Sequence, residues 1–150
     1  MRVQAGAKVQ DVVEALRPHG LTLQNYASVR DQQIGGFTQV SAHGTGAQLP
    51  PVDEQVVSLR MVSPGLGQAV ELQRGKDAAF EWAKVGLGSM GVVTEVTLQC
   101  VSAHRLLEET TIATRSQVTA NHAKCAPMPV STCPGSRASC DVMPRRRVAA

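Results

Sequence analysis

Two glycine-rich segments are the residues of this sequence best suited to chemistry. One runs from Ile34-Gly35-Gly36 to His43-Gly44-Thr45-Gly46, and the other is Gly86-Leu87-Gly88-Ser89-Met90-Gly91. Glycine lets backbone N–H and C=O groups come close to a flat ring or an anion. Successive N–H groups can then form a concave nest for a diphosphate, which needs glycine more than charge. The first segment suits that mode, because no Lys or Arg stands between Arg30 and Arg60. His43 beside it reads either as a ligand neighbour or as a core histidine bonded to backbone. Three cysteines, Cys125, Cys133 and Cys140, form a further group near the C-terminus. Their C-x7-C-x6-C spacing lacks the close pairs that zinc sites use, and no histidine follows His122. We expect no metal site there.

The elements around these residues decide between readings. Val3-Gln4-Ala5 reads as the end of a strand whose upstream part and sheet neighbours are lost. A helix follows, with Val9, Val12, Val13 and Leu16 on one stripe. Pro18 and Gly20 close it, and Leu21 to Gln24 alternates as a short strand. The Gly-rich stretch from Ile34 to Gly46 and the pair Pro50-Pro51 come next. Val56 to Val62 predicts a strand with Val57, Leu59 and Met61 on one face, turned by Ser63-Pro64-Gly65 into a return strand over Ala69 to Leu72. Asp77 is placed to cap a helix bearing Phe80, Ala83 and Leu87, with Trp82 beside them and Gly86 as its stop signal. Val92, Thr94, Val96, Leu98 and Cys100 then alternate as one half-buried strand, on which Cys100 reads as a small buried thiol. A weakly amphipathic helix is expected from Arg115 to Lys124. Strands and helices mixed without strict alternation predict an α+β fold.

That order removes one attractive reading. Gly86 to Gly91 matches G-x-G-x-x-G, but the dinucleotide mechanism needs a strand before the glycines and a helix after them. Here a helix precedes and a strand follows. What remains open is a different cofactor contact or a plain helix cap and loop.

Bulk properties exclude other classes. The chain has 150 residues with a formal charge of +3. Up to Lys124 there are 11 basic and 11 acidic residues, and the excess lies in Arg137, Arg145, Arg146 and Arg147 against Asp141. With one Trp, one Tyr and two Phe there is little to stack on bases, so nucleic acid is not an expected partner. No apolar run of about 18 residues is present, so any membrane association would come through regions outside this chain. The N-terminus has no apolar signal core, and Asp11 and Glu14 are out of place in a transit peptide. The Pro-, Ser- and Arg-rich stretch 125–150 is expected to be a disordered, unrelated tail.

Gln24-Asn25-Tyr26-Ala27-Ser28-Val29-Arg30-Asp31-Gln32-Gln33-Ile34-Gly35-Gly36, running into Ser41-Ala42-His43-Gly44-Thr45-Gly46, and Gly86 to Leu98 together go further than composition. They resemble the FAD-binding PCMH-type domain of vanillyl-alcohol-oxidase flavoproteins, and within those the aldonolactone oxidoreductases. Leu21 to Asn25 and Pro50-Pro51-Val52-Asp53-Glu54-Gln55 resemble the plant and algal branch. The resemblance covers about residues 3–124. It implies the second subdomain of the FAD domain, a mixed sheet flanked by helices, and FAD as cofactor. By matching positions, Ser28, Gln33, Gly36, Val40, Ser41, Ala42 and His43 would line the cofactor, and Val92 would hold the adenine through its backbone. Gly36 and Gly91 are expected to be glycine because the cofactor occupies the space of a side chain.

The same resemblance implies an aldono-1,4-lactone substrate, L-galactono-1,4-lactone giving ascorbate, with electrons passing to cytochrome c in mitochondria. Alternatives within reach are a D-arabinono-1,4-lactone-type oxidase that uses oxygen, and a truncated, non-catalytic nucleotide-binding or assembly protein. The first subdomain would precede Val3, and the cap domain that holds the lactone would follow the strand ending near Cys100. The expectation is therefore a partial chain without catalytic residues of its own.

Overall fold

The computed structural model describes residues 1–44, 49–104 and 112–125. Residues 1–44 and 49–103 form one unit, and a second unit contains the helix α4 (Arg115–Cys125). The first unit carries β1 (Arg2–Gln4), α1 (Val9–Leu16), β2 (Leu21–Leu23), α2 (Ile34–Gln39), β3 (Val56–Ser63), β4 (Gln68–Gln73), α3 (Phe80–Ala83), β5 (Val92–Leu98) and β6 (Cys100–Ser102). Four strands make a sheet in the order β1-β5-β3-β4, and β2 with β6 makes a small second sheet. All these pairings are antiparallel. The α+β class expected from the sequence is the one observed.

The apolar stripes do what their spacing requires. Val9, Val12 and Leu16 of α1 are buried, with Val13 packed at the edge of the core. They join Ile34 and Phe37 of α2, Phe80 and Ala83 of α3, and Leu59, Met61, Val96 and Leu98 of the sheet. Gly20 ends the first helical segment at φ 65, a left-handed conformation that glycine adopts without strain. The β3–β4 hairpin forms as expected, with Leu59 opposite Leu72 and Val62 opposite Ala69.

Two β-bulges correct the strand faces read from the sequence. Between Val56 and Ser58, β3 spends one extra residue against β5, so Val57 turns outward while Ser58 and Leu59 are buried. Between Arg60 and Met61 the extra residue is on β5, where Glu95 and Val93 pair but Thr94 does not. One inserted residue moves every later side chain to the other face. Val93 thus packs on the core, and Val92 and Thr94 face out although Val96 and Leu98 face in. The Thr94 bulge has its own bonds: its carbonyl accepts from Ala5 N–H at 2.8 Å, and its hydroxyl donates to Arg60 O at 3.1 Å.

Further corrections concern element ends. The strand expected to run through Cys100 stops at Leu98, and Cys100 begins β6 against Leu23. Asp77 is not a side-chain cap of α3; its carboxylate accepts from Gln73 N–H at 2.8 Å and closes the preceding turn. α3 ends at Ala83, so Leu87 is off its stripe and exposed, at φ 50 between Gly86 and Gly88. Trp82 is also exposed.

α4 forms where the sequence placed it, but without the expected amphipathic face, since Arg115 to Ala120 are all exposed. Its start is a reciprocal cap: Thr114 Oγ1 accepts from Gln117 N–H at 3.4 Å, and Gln117 Oε1 accepts from Thr114 N–H at 2.8 Å. The tail expectation for 125–150, with Cys133 and Cys140, lies outside the described residues apart from Cys125. No described helix is long and apolar enough to cross a membrane, and no described group of His, Cys, Asp or Glu has metal-binding geometry.

Candidate functional site

Helix α2 forms despite Gly35-Gly36 because the surrounding backbone fixes it. Ile34 N–H donates to Ala7 O at 2.9 Å and Gly35 N–H to Ala5 O at 2.8 Å, so the loop after β1 takes up its first donors. Ile34, Phe37 and Thr38 are buried beneath, and Thr38 Oγ1 bonds back to Ile34 O at 2.9 Å. The two glycines differ. A Cβ on Gly35 would lie 2.9 Å from the Ala5 Cβ, so glycine is required where α2 approaches the turn after β1. A Cβ on Gly36 would meet nothing within 4 Å. Among the described residues Gly36 thus faces open space, as Gly6 and Gly65 do in their turns, and no described contact requires it to lack a side chain.

The exit of α2 is more constrained. Ser41 N–H donates to Thr38 O at 3.0 Å, and Ala42 N–H donates to Phe37 O at 3.1 Å. Those two bonds define a Schellman cap, with Ser41 at the position where glycine is usual. Ser41 sits at φ 53, a left-handed conformation rarely taken by a residue with a Cβ. Its hydroxyl donates to Asp53 Oδ1 at 2.7 Å. Asp53 is 6% exposed, and its other oxygen lies 3.4 Å from Lys84 Nζ. Lys84, 8% exposed, also reaches Glu54 Oε1 at 2.6 Å and Glu81 Oε2 at 3.0 Å. Burial works to lower the Lys84 pKa, but the hydrogen bonds it donates to Glu54 and Glu81 outweigh it and hold the ammonium above the ordinary lysine range. This buried network had no signal in the sequence reading.

His43 follows the turn and is exposed, so the core-histidine alternative does not hold. Its Nδ1 lies 2.8 Å from Gly44 O. A carbonyl only accepts, so Nδ1 carries a proton. Beneath it Asn25 and Gln55 hold the loop: Asn25 Oδ1 accepts from Gly44 N–H at 3.1 Å, and Gln55 Nε2 donates to Asn25 O at 3.2 Å. Both side chains are buried.

The second glycine segment is tied to the first through Gln39, the last residue of α2. Its Nε2 donates to Ala83 O at 2.7 Å, and its Oε1 accepts from Gly88 N–H at 3.3 Å. Val92, at the far end of the segment, is 68% exposed opposite Val62. Gly91 corrects the sequence expectation. At φ 143, its Cβ would lie 2.2 Å from Val62 O, so the neighbouring strand fills the space assigned to the cofactor. Glycine is needed there for strand approach.

The predicted positions therefore fall unequally. Gln33 at the start of α2, Gly36, Val40, Ser41, Ala42 and His43 follow one another along α2 and its exit, and Gln39 joins them to the segment leading to Val92. Ser28 lies earlier, on the exposed loop before α2. The N–H groups of Ile34, Gly35, Phe37, Val40, Ser41 and Ala42 already donate within the fold, and the open Gly36 with the exposed Val40 and Val92 is what these segments leave accessible.

A family model described as an FAD binding domain matches residues 1–73. L-galactono-1,4-lactone dehydrogenase 1, mitochondrial, of Oryza sativa subsp. japonica is 57% identical over 123 residues, covering 81% of this chain and 21% of that protein. L-gulonolactone oxidase of Mus musculus is 36% identical over 120 residues, covering 79% of this chain and 27% of that one. The chain belongs to the aldonolactone oxidoreductases. FAD is the cofactor of this family. The chain spans about a fifth of the length of its plant relatives, which include the Arabidopsis thaliana enzyme at 55% identity over 123 residues. Among solved structures, alkyldihydroxyacetonephosphate synthase matches with a TM-score of 0.63 at 18% identity, over 85% of this chain and 25% of that one. A solvent-stable cholesterol oxidase matches at 0.61 and 21% identity, over 67% of this chain and 21% of that one. These two likenesses concern the fold of the aldonolactone oxidoreductase segment.

Proposed function

We propose that this segment is the FAD-holding part of an enzyme that oxidises an aldono-1,4-lactone, with L-galactono-1,4-lactone as substrate and ascorbate as product. The observation that carries the site is Gly36, whose open space lies on a helix within the segment matched by the FAD-binding model. Gly36 and the accessible side of the stretch to Ala42 would lie against the diphosphate and flavin side of FAD, with Ser28, Gln33 and His43 around it. The backbone of Val92 would hold the adenine. Bound FAD would supply a two-electron acceptor for the lactone. This chain's residues would bind and orient that acceptor and keep water from one side of it, and none would move the substrate proton.

The plant relatives' names favour L-galactono-1,4-lactone over other lactones and a mitochondrial setting; cytochrome c as the electron partner rests on the family resemblance alone. An oxidase passing electrons to oxygen is the second reading, favoured by the likeness to the mouse L-gulonolactone oxidase.

Two measurements test the proposal. FAD titrated into the 150-residue chain should bind saturably, as read by flavin fluorescence. A chimera with this chain's matching 123 residues in the rice dehydrogenase should retain flavin and reduce cytochrome c with L-galactono-1,4-lactone. A folded chimera without flavin would overturn the binding role. One with flavin that passes electrons to oxygen alone would replace the first reading by the second.

A further inference from the structure

We propose that Lys84 is a positioning residue for the cofactor-facing turn at Val40 to His43, acting through Asp53 on Ser41. The proposal rests on the FAD reading above for its functional meaning, but its structural half stands alone. Ser41 occupies a helix-capping position that favours glycine, at φ 53. A serine there is strained and persists only where its surroundings hold it. The hydroxyl bond to Asp53 Oδ1 is that hold.

Asp53 is itself a buried carboxylate, and an unpaired charge in such a place is strongly unfavourable. Lys84 supplies its cation at 3.4 Å. The order of dependence is therefore Lys84, then Asp53, then the Ser41 hydroxyl, then the left-handed turn. Lys84 follows α3 directly and Ser41 follows α2, so the network also links the two glycine segments from beneath, while Gln39 links them through backbone carbonyls. Glu54 and Glu81 are exposed and complete the ammonium's hydrogen bonds.

The test is amide exchange on the full chain. In Lys84→Met, exchange of the Ser41 and Ala42 amides should rise by about tenfold or more, as expected when a charged hydrogen-bond partner is lost and a local element opens. Amides of the β3–β5 ladder should keep their protection. Ser41→Ala should give the same local change. In the double variant, Lys84→Met should add nothing to Ser41→Ala, because the two act in series. Lys84→Arg should restore protection in part. Additive effects, or loss of ladder protection together with the turn, would assign Lys84 to general stability and overturn the proposal.

FAD titration of the same variants supplies the functional arm. Lys84→Met should weaken FAD binding severalfold with the ladder intact. Unchanged FAD affinity with a loosened turn would overturn the positioning role. If the wild-type chain binds no FAD while the exchange results hold, the FAD reading fails and the Lys84–Asp53–Ser41 device stands.

Discussion

Gly36→Ala separates what the fold requires from what the cofactor requires. The new methyl would meet no atom within 4 Å, and Gly36 lies in α2 without a left-handed φ. Replacing glycine by alanine in a helix stabilises by about 0.5–1 kcal/mol, through lower entropy in the unfolded chain. For a domain of this size that raises Tm by about 2–8 °C. In the proposed site the same methyl would stand where FAD approaches the backbone. Overfilling a close contact costs about 1–3 kcal/mol, so FAD affinity should fall about 5- to 150-fold. Thermal melts of the chain and fluorescence titration with FAD measure the two effects, which have opposite signs. Gly35→Ala is the contrast: its Cβ would crowd Ala5, so Tm should fall. If Gly36→Ala binds FAD as tightly as the wild type, the cofactor does not approach this position and the argument from its open space is refuted. A lower Tm would refute the local geometry instead.

Gly91→Val should destroy the fold and not merely release flavin, because its side chain would collide with Val62 O and adopt a disfavoured φ; circular dichroism of a folded but flavin-free variant would contradict this. A polypeptide of residues 1–150 with added FAD should show no oxidation of L-galactono-1,4-lactone, since hydride transfer needs partners held about 3–3.5 Å apart, and steady cytochrome c reduction would disprove it. The Lys84 ammonium is favoured in the folded state, so its stabilising effect is fully present below the ordinary lysine pKa and is lost only as pH rises through its raised folded value. The difference in denaturation free energy between wild type and Lys84→Met should accordingly stay flat from neutral pH to about pH 10. A difference that vanishes between about pH 7 and pH 9 would show that Lys84 is not held charged.

Periodic signals were legible without coordinates because they are local. The stripe Val9, Val12 and Leu16 fixes α1 and its buried face, and the turn residues between β3 and β4 fix a hairpin. The order of a helix, then Gly86 to Gly91, then a strand was enough to reject a Rossmann site, and it is the order observed. The residues that carry the family resemblance are likewise contiguous, so one sequence displays them. Faces across a sheet were not legible. Val57 and Val92 point away from their expected side because bulges form only when β3 and β5 pair, and pairing depends on a partner 30 to 40 positions distant. The same holds for the site. Gly36 and Gly91 look alike in sequence, and only the position of Val62 O distinguishes a glycine required by packing from one that packing leaves unexplained. Ser41, Asp53 and Lys84 carry no shared spacing, since burial and hydrogen-bond direction bring them together. The sequence by itself determined the family and most of the elements, and marked the segments proposed to face the cofactor. The tertiary structure decided which backbone positions are open and which side chains hold them, because those depend on atoms contributed by distant parts of the chain.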